Sequence, residues 1–339
     1  MRKFNVFHRI HPTPDDLTDE QFEKRLEEMG IKSLGLSSNY AYFKRHHGQY
    51  LLDESSPETM DRYLFENDDK GHYGLADDNK LMCLDIEHWP DSTKKVKDEI
   101  NKTLKFHFES TKFDYLEKLL KNKDVSEYVA SNSEIVSEVR DVYLEKYKKA
   151  LEYFQWKAPH LRIGYYAVMP TCDYWLCMKL LAELQENKVH ELKFFNGDTL
   201  EQQLDIIKNY NCEKQLLGWI DDNEYNFSKL GKYVDVLFPS IYSFYPNHSF
   251  DKWRFYAKFH LQFINQLTNN SKTVYPFIWP RYHTKQLFVP EGYFFDQLEF
   301  LRDQTDVAGC VVWSSQDKFS TNTTWFKELT SFCNQTVLG

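Results

Sequence analysis

The sequence alternates short runs of β-branched and apolar residues with longer segments in which apolar residues recur at helical spacing. The runs predict eight strands, at residues 3–9, 32–37, 80–86, 161–168, 215–220, 234–242, 273–279 and 309–314. The segments predict eight helices, at residues 18–29, 113–121, 126–155, 174–185, 199–209, 250–267, 292–305 and 324–333. This order is typical of an α/β fold with a parallel sheet. It predicts a TIM-like (β/α)8 barrel, with a doubly wound sheet as the alternative.

Motifs that would favour the doubly wound sheet do not occur in the sequence. No Gly-x-Gly-x-x-Gly follows the first predicted strand, no Gly-Lys-Ser/Thr loop is present, and the chain has only 12 glycines. These are the loops that bind nucleotide phosphates in such sheets. Because no linker-like segment or break in composition interrupts the chain, we expect a single domain over residues 1–339.

Composition and charge narrow the kinds of partner. A net charge of −9 argues against nucleic acid, since a phosphate backbone is bound by clustered Lys and Arg. No apolar run approaches the ~20 residues of a membrane span. Six cysteines show neither a Cys-x-x-Cys pair nor zinc spacing, so we predict no metal and no cofactor. Aromatic residues make up 17% of the chain, a surplus that suits a groove stacking against sugar rings. We therefore expect a monomer that binds a polysaccharide.

Two features bear on localisation, and they point in different directions. The amino terminus enters the first predicted strand without the apolar segment of a secretory signal. Six Asn-x-Ser/Thr sequons nevertheless favour a secretory route, to the exterior or to a lysosome-like compartment. They begin at Asn101, Asn226, Asn247, Asn269, Asn322 and Asn334.

Paired acids end the third predicted strand. Asp85 and Glu87 are two residues apart in an extended run, so both side chains project from one face with Cβ atoms about 7 Å apart. Two carboxylates this close in a partly apolar site do not ionise together easily. Glu87 would then keep a proton and act as a general acid, while Asp85 stays charged. The bland alternative is a solvated strand end, and a metal site using Asp85, Glu87 and His88 is a weaker third interpretation.

Aromatic side chains end the other predicted strands, where barrel enzymes place their active sites. Hydroxyls of Tyr165, Tyr166 and Tyr242 are candidates to donate hydrogen bonds to an acetamido oxygen or to developing charge. Trp313 and Trp279 are candidates for the apolar wall of a sugar site. Each residue taken alone is also compatible with ordinary core packing.

A basic segment follows the seventh predicted strand. Arg281, with His283 and Lys285, lies on the predicted active-site side of the barrel. Local charge prevails over net charge because screening acts over ~8 Å. This segment is therefore expected to attract a substrate carboxylate.

Five of these segments, in this order, resemble the animal and venom hyaluronidases. The Asp-x-Glu-x-Trp at residues 85–89 resembles that family's catalytic strand, and Gly-Tyr-Tyr at 164–166 resembles its Gly-aromatic-Tyr stretch. Residues 237–242 resemble its aromatic-Pro-Ser-Ile/Val-Tyr, residues 309–315 its last strand, and residues 4–6 its first. The resemblance spans most of the chain.

The resemblance implies a distorted (β/α) barrel and a retaining endo-β-N-acetylhexosaminidase that hydrolyses hyaluronan or chondroitin without a metal. Glu87 would be the acid/base, and Asp85 would orient the substrate's acetamido group, which acts as the nucleophile. Tyr166 and Tyr242 would bond that group, Ser240 would line the same subsite, and Trp313 would wall it.

Two departures from the family pattern leave other functions open. Pro90 stands where the family has Arg after the motif's Trp, and Thr171 stands where it has Asp before the Cys. One alternative is therefore a carbohydrate-binding barrel without turnover. Another is a glycosidase for a different N-acetylhexosamine polymer such as chitin.

Overall fold

The computed structural model describes residues 4–11, 13–37, 44–46, 49–51, 81–86, 91–105, 133–197, 199–314 and 319–337. Its strands are β1 (Asn5–Ile10), β2 (Lys32–Ser33), β3 (Gly35–Ser37), β4 (Lys44–His46), β5 (Gln49–Leu51), β6 (Leu81–Leu84), β7 (Arg162–Tyr165), β8 (Val236–Leu237), β9 (Thr273–Val274), β10 (Phe277–Ile278) and β11 (Gly309–Ser314). Its helices are α1 (Asp19–Glu28), α2 (Thr93–Lys105), α3 (Ser133–Lys157), α4 (Tyr174–Glu186), α5 (Glu191–Phe195), α6 (Leu200–Ile207), α7 (Glu213–Leu230), α8 (Phe250–Thr268), α9 (Tyr293–Asp303) and α10 (Thr324–Val337). The chain is a mixed α/β protein.

Two compact units make up the fold. Unit 1 comprises residues 1–34, 172–221 and 236–339, and unit 2 comprises residues 35–171 and 222–235.

Unit 1 contains a four-stranded parallel sheet in the order β10-β11-β1-β2. Its central pair, β1 and β11, is in register from Asn5 opposite Gly309 to Ile10 opposite Ser314. Residues 309–312 are all buried, as expected for a parallel strand covered on both faces. Glycine is required where this pair begins, because a Cβ at Gly309 would lie 1.9 Å from the carbonyl oxygen of Asn5.

Unit 2 contains a three-stranded parallel sheet in the order β3-β6-β7. All four residues of β6 are buried, and β6 pairs with β7 from Leu81 opposite Arg162 to Leu84 opposite Tyr165. On β7, the Ile163 carbonyl accepts a hydrogen bond of 2.8 Å from the Asp235 backbone N–H, and the Asp235 carboxylate accepts from Ile163 N–H. This sheet ends in the segments that carry Asp85 and Tyr166.

Most sequence-predicted elements are confirmed. Residues 309–314 form a strand with those bounds, and the predicted helix at 250–267 is α8 with one more residue. Helix α1 begins with a capping box in which the Thr18 side chain accepts from Gln21 N–H, while the Gln21 side chain accepts from Thr18 N–H. The helix predicted at 113–121 lies outside the described residues.

The fifth predicted strand is wrong. Residues 215–220 lie inside α7, an 18-residue helix. Leu216, Trp219 and Ile220 are buried, whereas Leu217 and Gly218 are exposed, and this spacing is helical. The apolar run was too short to distinguish a strand from a buried helix turn, and the two acids that follow it continue the same helix.

The strand ladders, the helices and the cysteines bear on three further expectations from the sequence. The described strands form four separate ladders, so the closed barrel stays a prediction. No described helix is both long enough and apolar enough to cross a bilayer. All six cysteines are free thiols.

Candidate functional site

Asp85 and Tyr166 stand side by side at the carboxyl ends of two neighbouring strands of unit 2. Leu84 and Tyr165 are the last paired residues of β6 and β7, and Asp85 and Tyr166 follow them directly. The Tyr166 backbone N–H donates to the Leu84 carbonyl oxygen at 3.0 Å, which continues the ladder by one residue. Both side chains are half-buried. The strand pairing thus brings together two of the sequence-predicted site residues.

The strand end that carries Asp85 is anchored from below by two tyrosines. The Tyr147 hydroxyl on α3 donates to the Ile86 carbonyl oxygen at 3.1 Å. The Tyr165 hydroxyl donates to the Tyr147 carbonyl oxygen at 2.6 Å, and the two rings meet edge to face at 5.0 Å. Tyr165 is therefore a core residue whose hydroxyl is already engaged, and its direct contact with substrate has no support in the structure.

Glu87, the expected acid, lies outside the described residues together with residues 88–90. The chain is described again from Asp91, which is buried and lies 2.7 Å from the Lys95 ammonium. Burial raises the pKa of Asp91, although the Lys95 charge opposes the shift. Burial also raises the pKa of Cys83 well above its usual value, and the nearby charge of Asp85 adds to the effect.

Two buried asparagines of α7 hold the segments that follow β6 and β7. The Asn226 amide nitrogen donates to the Asp91 carbonyl oxygen at 2.7 Å and lies 3.5 Å from that of Val168. The Asn223 side-chain oxygen accepts from Thr171 N–H at 2.7 Å. These bonds tie the ends of both segments to one helix, so the strand mouths are held at a defined separation.

A partly buried ion pair supports the same part of unit 2. Arg140 on α3 donates to the Asp222 carboxylate at 2.7 Å and to the Asn226 side-chain oxygen at 3.0 Å. The Asp222 carboxylate also accepts from the Thr93 hydroxyl at 2.5 Å, at the start of α2. Helices α2, α3 and α7 are thereby joined around one partly buried carboxylate.

In unit 1, Ser240 and Tyr242 lie on the segment that follows β8. Helix α8 holds this segment, because the Tyr256 hydroxyl donates to the Ser240 carbonyl oxygen and the Trp253 indole N–H donates to that of Ile241, both at 2.7 Å. Ser240 is half-buried and Tyr242 is buried. A bridge from Ser240 to Phe277 aligns the segment with β10.

Three aromatic candidates come together in unit 1. The rings of Tyr242 and Trp279 are 5.7 Å apart and steeply inclined. Ile278 pairs with Val312, so Trp279 and Trp313 follow at the same level of adjacent strands. Trp279 is buried and Trp313 is half-buried. Tyr242, Trp279 and Trp313 thus belong to one carboxyl edge of this sheet.

The fold of this chain is similar to that of known proteins with solved structures. No model of a protein family matches the sequence, and no curated protein matches it. A monoclinic crystal structure of bee venom hyaluronidase superposes with a TM-score of 0.59 at 15% identity, covering 98% of this chain and 96% of that one. Bee venom hyaluronidase in complex with a hyaluronic acid tetramer superposes with a TM-score of 0.57 at 15% identity, covering 98% and 95%. This chain has a hyaluronidase-like fold.

The resemblance that the five motifs indicated is therefore confirmed at the level of the fold. Arg281 nevertheless sits differently from expectation within it. The guanidinium is buried, donates to the Gln286 carbonyl oxygen at 2.5 Å and lies 3.7 Å from the ring centre of Phe288. It braces its own loop, while His283 and Lys285 are the exposed basic residues there.

The sequence did not indicate the roles of Arg140, Asn223 and Asn226. Asn226 begins a sequon, but its side chain is fully buried and bonded, so it is closed to glycosylation in the folded protein. Four other sequons begin at exposed asparagines, namely Asn247, Asn269, Asn322 and Asn334. A polar residue at a helical core position was the available signal for the buried asparagine.

The described residues provide no set of side chains that could ligate a metal ion. No group of three or more His, Cys, Asp or Glu side chains there is close enough to hold an ion. Glu87 and His88 lie outside that part of the chain.

Proposed function

We propose that this protein is a retaining endo-β-N-acetylhexosaminidase of hyaluronidase type, which hydrolyses hyaluronan or chondroitin-like glycosaminoglycans. The observation that carries the proposal is the juxtaposition of Asp85 and Tyr166 at adjacent strand ends, in a chain with a hyaluronidase-like fold. The complex of bee venom hyaluronidase with a hyaluronic acid tetramer supports a polysaccharide substrate.

We also propose that residues 1–339 form one catalytic domain built on a distorted (β/α) barrel. Support comes from the parallel pairing within each sheet and from the coverage of 98% of the chain by the hyaluronidase fold. Glu87, two residues beyond Asp85, then follows the strand end that Tyr147 anchors.

In the proposed mechanism the substrate supplies its own nucleophile. The Glu87 carboxyl proton passes to the glycosidic oxygen as the bond from that oxygen to C1 breaks and the acetamido oxygen bonds to C1. The Asp85 carboxylate orients the acetamido N–H and stabilises the positive charge of the oxazolinium ion. Water then attacks C1, Glu87 takes the water's proton, and the acetamido group is released with net retention.

The aromatic edge of unit 1 would bind sugar rings of the polysaccharide. Tyr242 would donate a hydrogen bond to a bound sugar, Ser240 would line its subsite, and Trp313 would form its apolar wall, with the ring of Trp279 5.7 Å from that of Tyr242. Tyr166, beside Asp85 in unit 2, would donate to the acetamido group that Asp85 orients. Arg281 would act indirectly, by shaping the loop that presents His283 and Lys285.

The test is turnover by the variant Glu87→Gln, with Glu28→Gln on the exposed face of α1 as the matched control. Because the variant cannot donate the proton, we expect an activation barrier about 4 kcal/mol higher. This lowers the rate at which reducing ends form from hyaluronan roughly a thousandfold. Asp85→Asn is also expected to be severe. Undiminished turnover by folded Glu87→Gln, on any glycan that the wild type cleaves, contradicts the assignment.

One observation favours a second candidate, a carbohydrate-binding protein without turnover. Thr171 replaces the acid of the family pattern, and its backbone is bound to Asn223 in a structural hydrogen bond. Assays for new reducing ends on hyaluronan, chondroitin and chitin oligomers separate the candidates. Binding without new ends favours the second, and cleavage of chitin alone favours a glycosidase for that polymer.

A further inference from the structure

A continuous series of aromatic rings leads away from Tyr242 within unit 1. We define the aromatic strip as Tyr242, His283, Phe244, Tyr245 and Trp175. Successive ring centres are 6.2, 5.1, 6.4 and 5.2 Å apart. Tyr174 lies behind the strip, stacked on Phe244 at 4.5 Å.

The outer end of the strip is much more exposed than the end at Tyr242. Tyr242 is 6% exposed, Phe244 and Tyr245 are half-buried, and Trp175 is 56% exposed. His283 is also exposed. A tryptophan this exposed gains little from core packing, but its flat face is available to a ligand.

The strip is held in place by its backbone. The His283 N–H donates to the Ser243 carbonyl oxygen at 2.8 Å, and the Thr284 hydroxyl donates to the Phe244 carbonyl oxygen at 2.6 Å. At the far end, the Asp173 carboxylate caps α4 by accepting from Leu176 N–H at 2.9 Å, directly beside Trp175. Rings fixed in this way need little ordering when a ligand binds.

Shape and chemistry suit a chain of sugars. A pyranose ring is about as wide as one aromatic ring, and its axial C–H groups pack on an aromatic face while its hydroxyls reach polar groups at the rim. His283, Tyr245 and His248 supply such polar groups. The rings of Tyr245 and His248 are 5.3 Å apart. A polymer bound at Tyr242, where the strip begins, would continue along it.

We propose that the aromatic strip is a distal glycan subsite for a β-linked N-acetylhexosamine polymer, with Trp175 as its outermost platform. The inference rests on the proposed function, because the polymer is taken to enter from the site that contains Tyr242. A protein or lipid surface that covers Trp175 would be a different occupant, and the length dependence below separates these cases.

The experiment measures binding of hyaluronan oligosaccharides by calorimetry, in the Glu87→Gln background so that no ligand is consumed. A tetrasaccharide is compared with a much longer oligosaccharide. Adding Trp175→Ala is expected to lower the ratio of long-chain to tetrasaccharide affinity about tenfold, the worth of one aromatic stacking contact. Trp175→Phe should restore part of it. Trp156→Ala, at a tryptophan 69% exposed on α3 of unit 2, is the matched control and should leave the ratio unchanged.

Each outcome decides between the two proposals. An unchanged ratio in Trp175→Ala overturns the distal subsite, even if wild-type protein cleaves hyaluronan. Equal losses for both ligand lengths overturn it as well, because a distal platform affects long chains most. Length-dependent loss without any cleavage by the wild type supports the strip and removes the hydrolase. Absence of binding to either oligosaccharide overturns the strip, while reducing-end assays on the wild type test the hydrolase separately.

Discussion

Replacing Arg140 by methionine tests whether the partly buried ion pair with Asp222 supports the fold around Asp85 and Tyr166. Arg140 is 7% exposed, and its guanidinium contacts Asp222 at both the carboxylate and the backbone carbonyl, at 2.7 and 2.6 Å. It also donates to the side chains of Asn226 and Thr93. Methionine fills much of the same volume but leaves these acceptors without a cation.

The size of the effect follows from what remains around Asp222. Removing one partner of a buried ion pair typically costs 3–5 kcal/mol, because the other charge is left uncompensated. Asp222 would keep hydrogen bonds from the Thr93 N–H at 3.2 Å and hydroxyl at 2.5 Å, which places the cost at the lower end. We expect Arg140→Met to lower the free energy of unfolding by about 3 kcal/mol.

Denaturant unfolding monitored by fluorescence measures this loss. The control is Lys148→Met on the same helix, where the ammonium pairs with Glu145 at 3.0 Å in an exposed setting and solvent screens the two charges. The double variant Arg140→Met/Asp222→Leu should recover part of the stability, because it removes the stranded charge. If Arg140→Met lowers the free energy of unfolding no more than Lys148→Met does, the ion pair does not support the fold in this way.

Two further predictions concern stability. Gly309→Ala should destabilise the protein by about 3 kcal/mol or more, since its Cβ would meet the Asn5 carbonyl, whereas Gly218→Ala in open space on α7 should stabilise it by up to about 1 kcal/mol. Similar unfolding midpoints for the two variants would contradict this pairing of β1 and β11. Burial and the charges of neighbouring Arg9 and His11 lower the pKa of His8 to about 3. Below pH 6.5 the unfolded chain therefore binds a proton at His8 that the folded protein does not bind, and this difference destabilises the folded state. Between pH 7 and pH 5 the wild type should therefore lose about 2 kcal/mol more than His8→Leu, and parallel losses in urea titrations would show that His8 does not titrate this way.

Features written in local patterns were predictable from the sequence. Residues 307–313 are apolar and lie between Asp306 and Ser314, which is typical of a parallel strand buried on both faces. Asp85 and Tyr166 each directly follow the last paired residue of a short strand, so their proximity required only that the two strands be neighbours. The sequence does not distinguish Tyr165 and Arg281 from site residues. Tyr165 is held in the core by a contact with α3, and Arg281 is held in its loop by a contact with Phe288.

The misassigned fifth strand and the unforeseen support of the site have one cause, which is helix α7. Its buried positions include Trp219, Asn223 and Asn226, and asparagine interrupts the apolar face just where the helix meets the segments after β6 and β7. The apolar residues alone therefore do not show a helical period across this region, and they predict a short strand followed by solvated acids. A buried amide is costly unless it is bonded, so these asparagines imply backbone partners even where sequence cannot name them. Those partners are separated from Asn226 by 135 residues at Asp91 and from Asn223 by 52 residues at Thr171, distances over which local patterns carry no information.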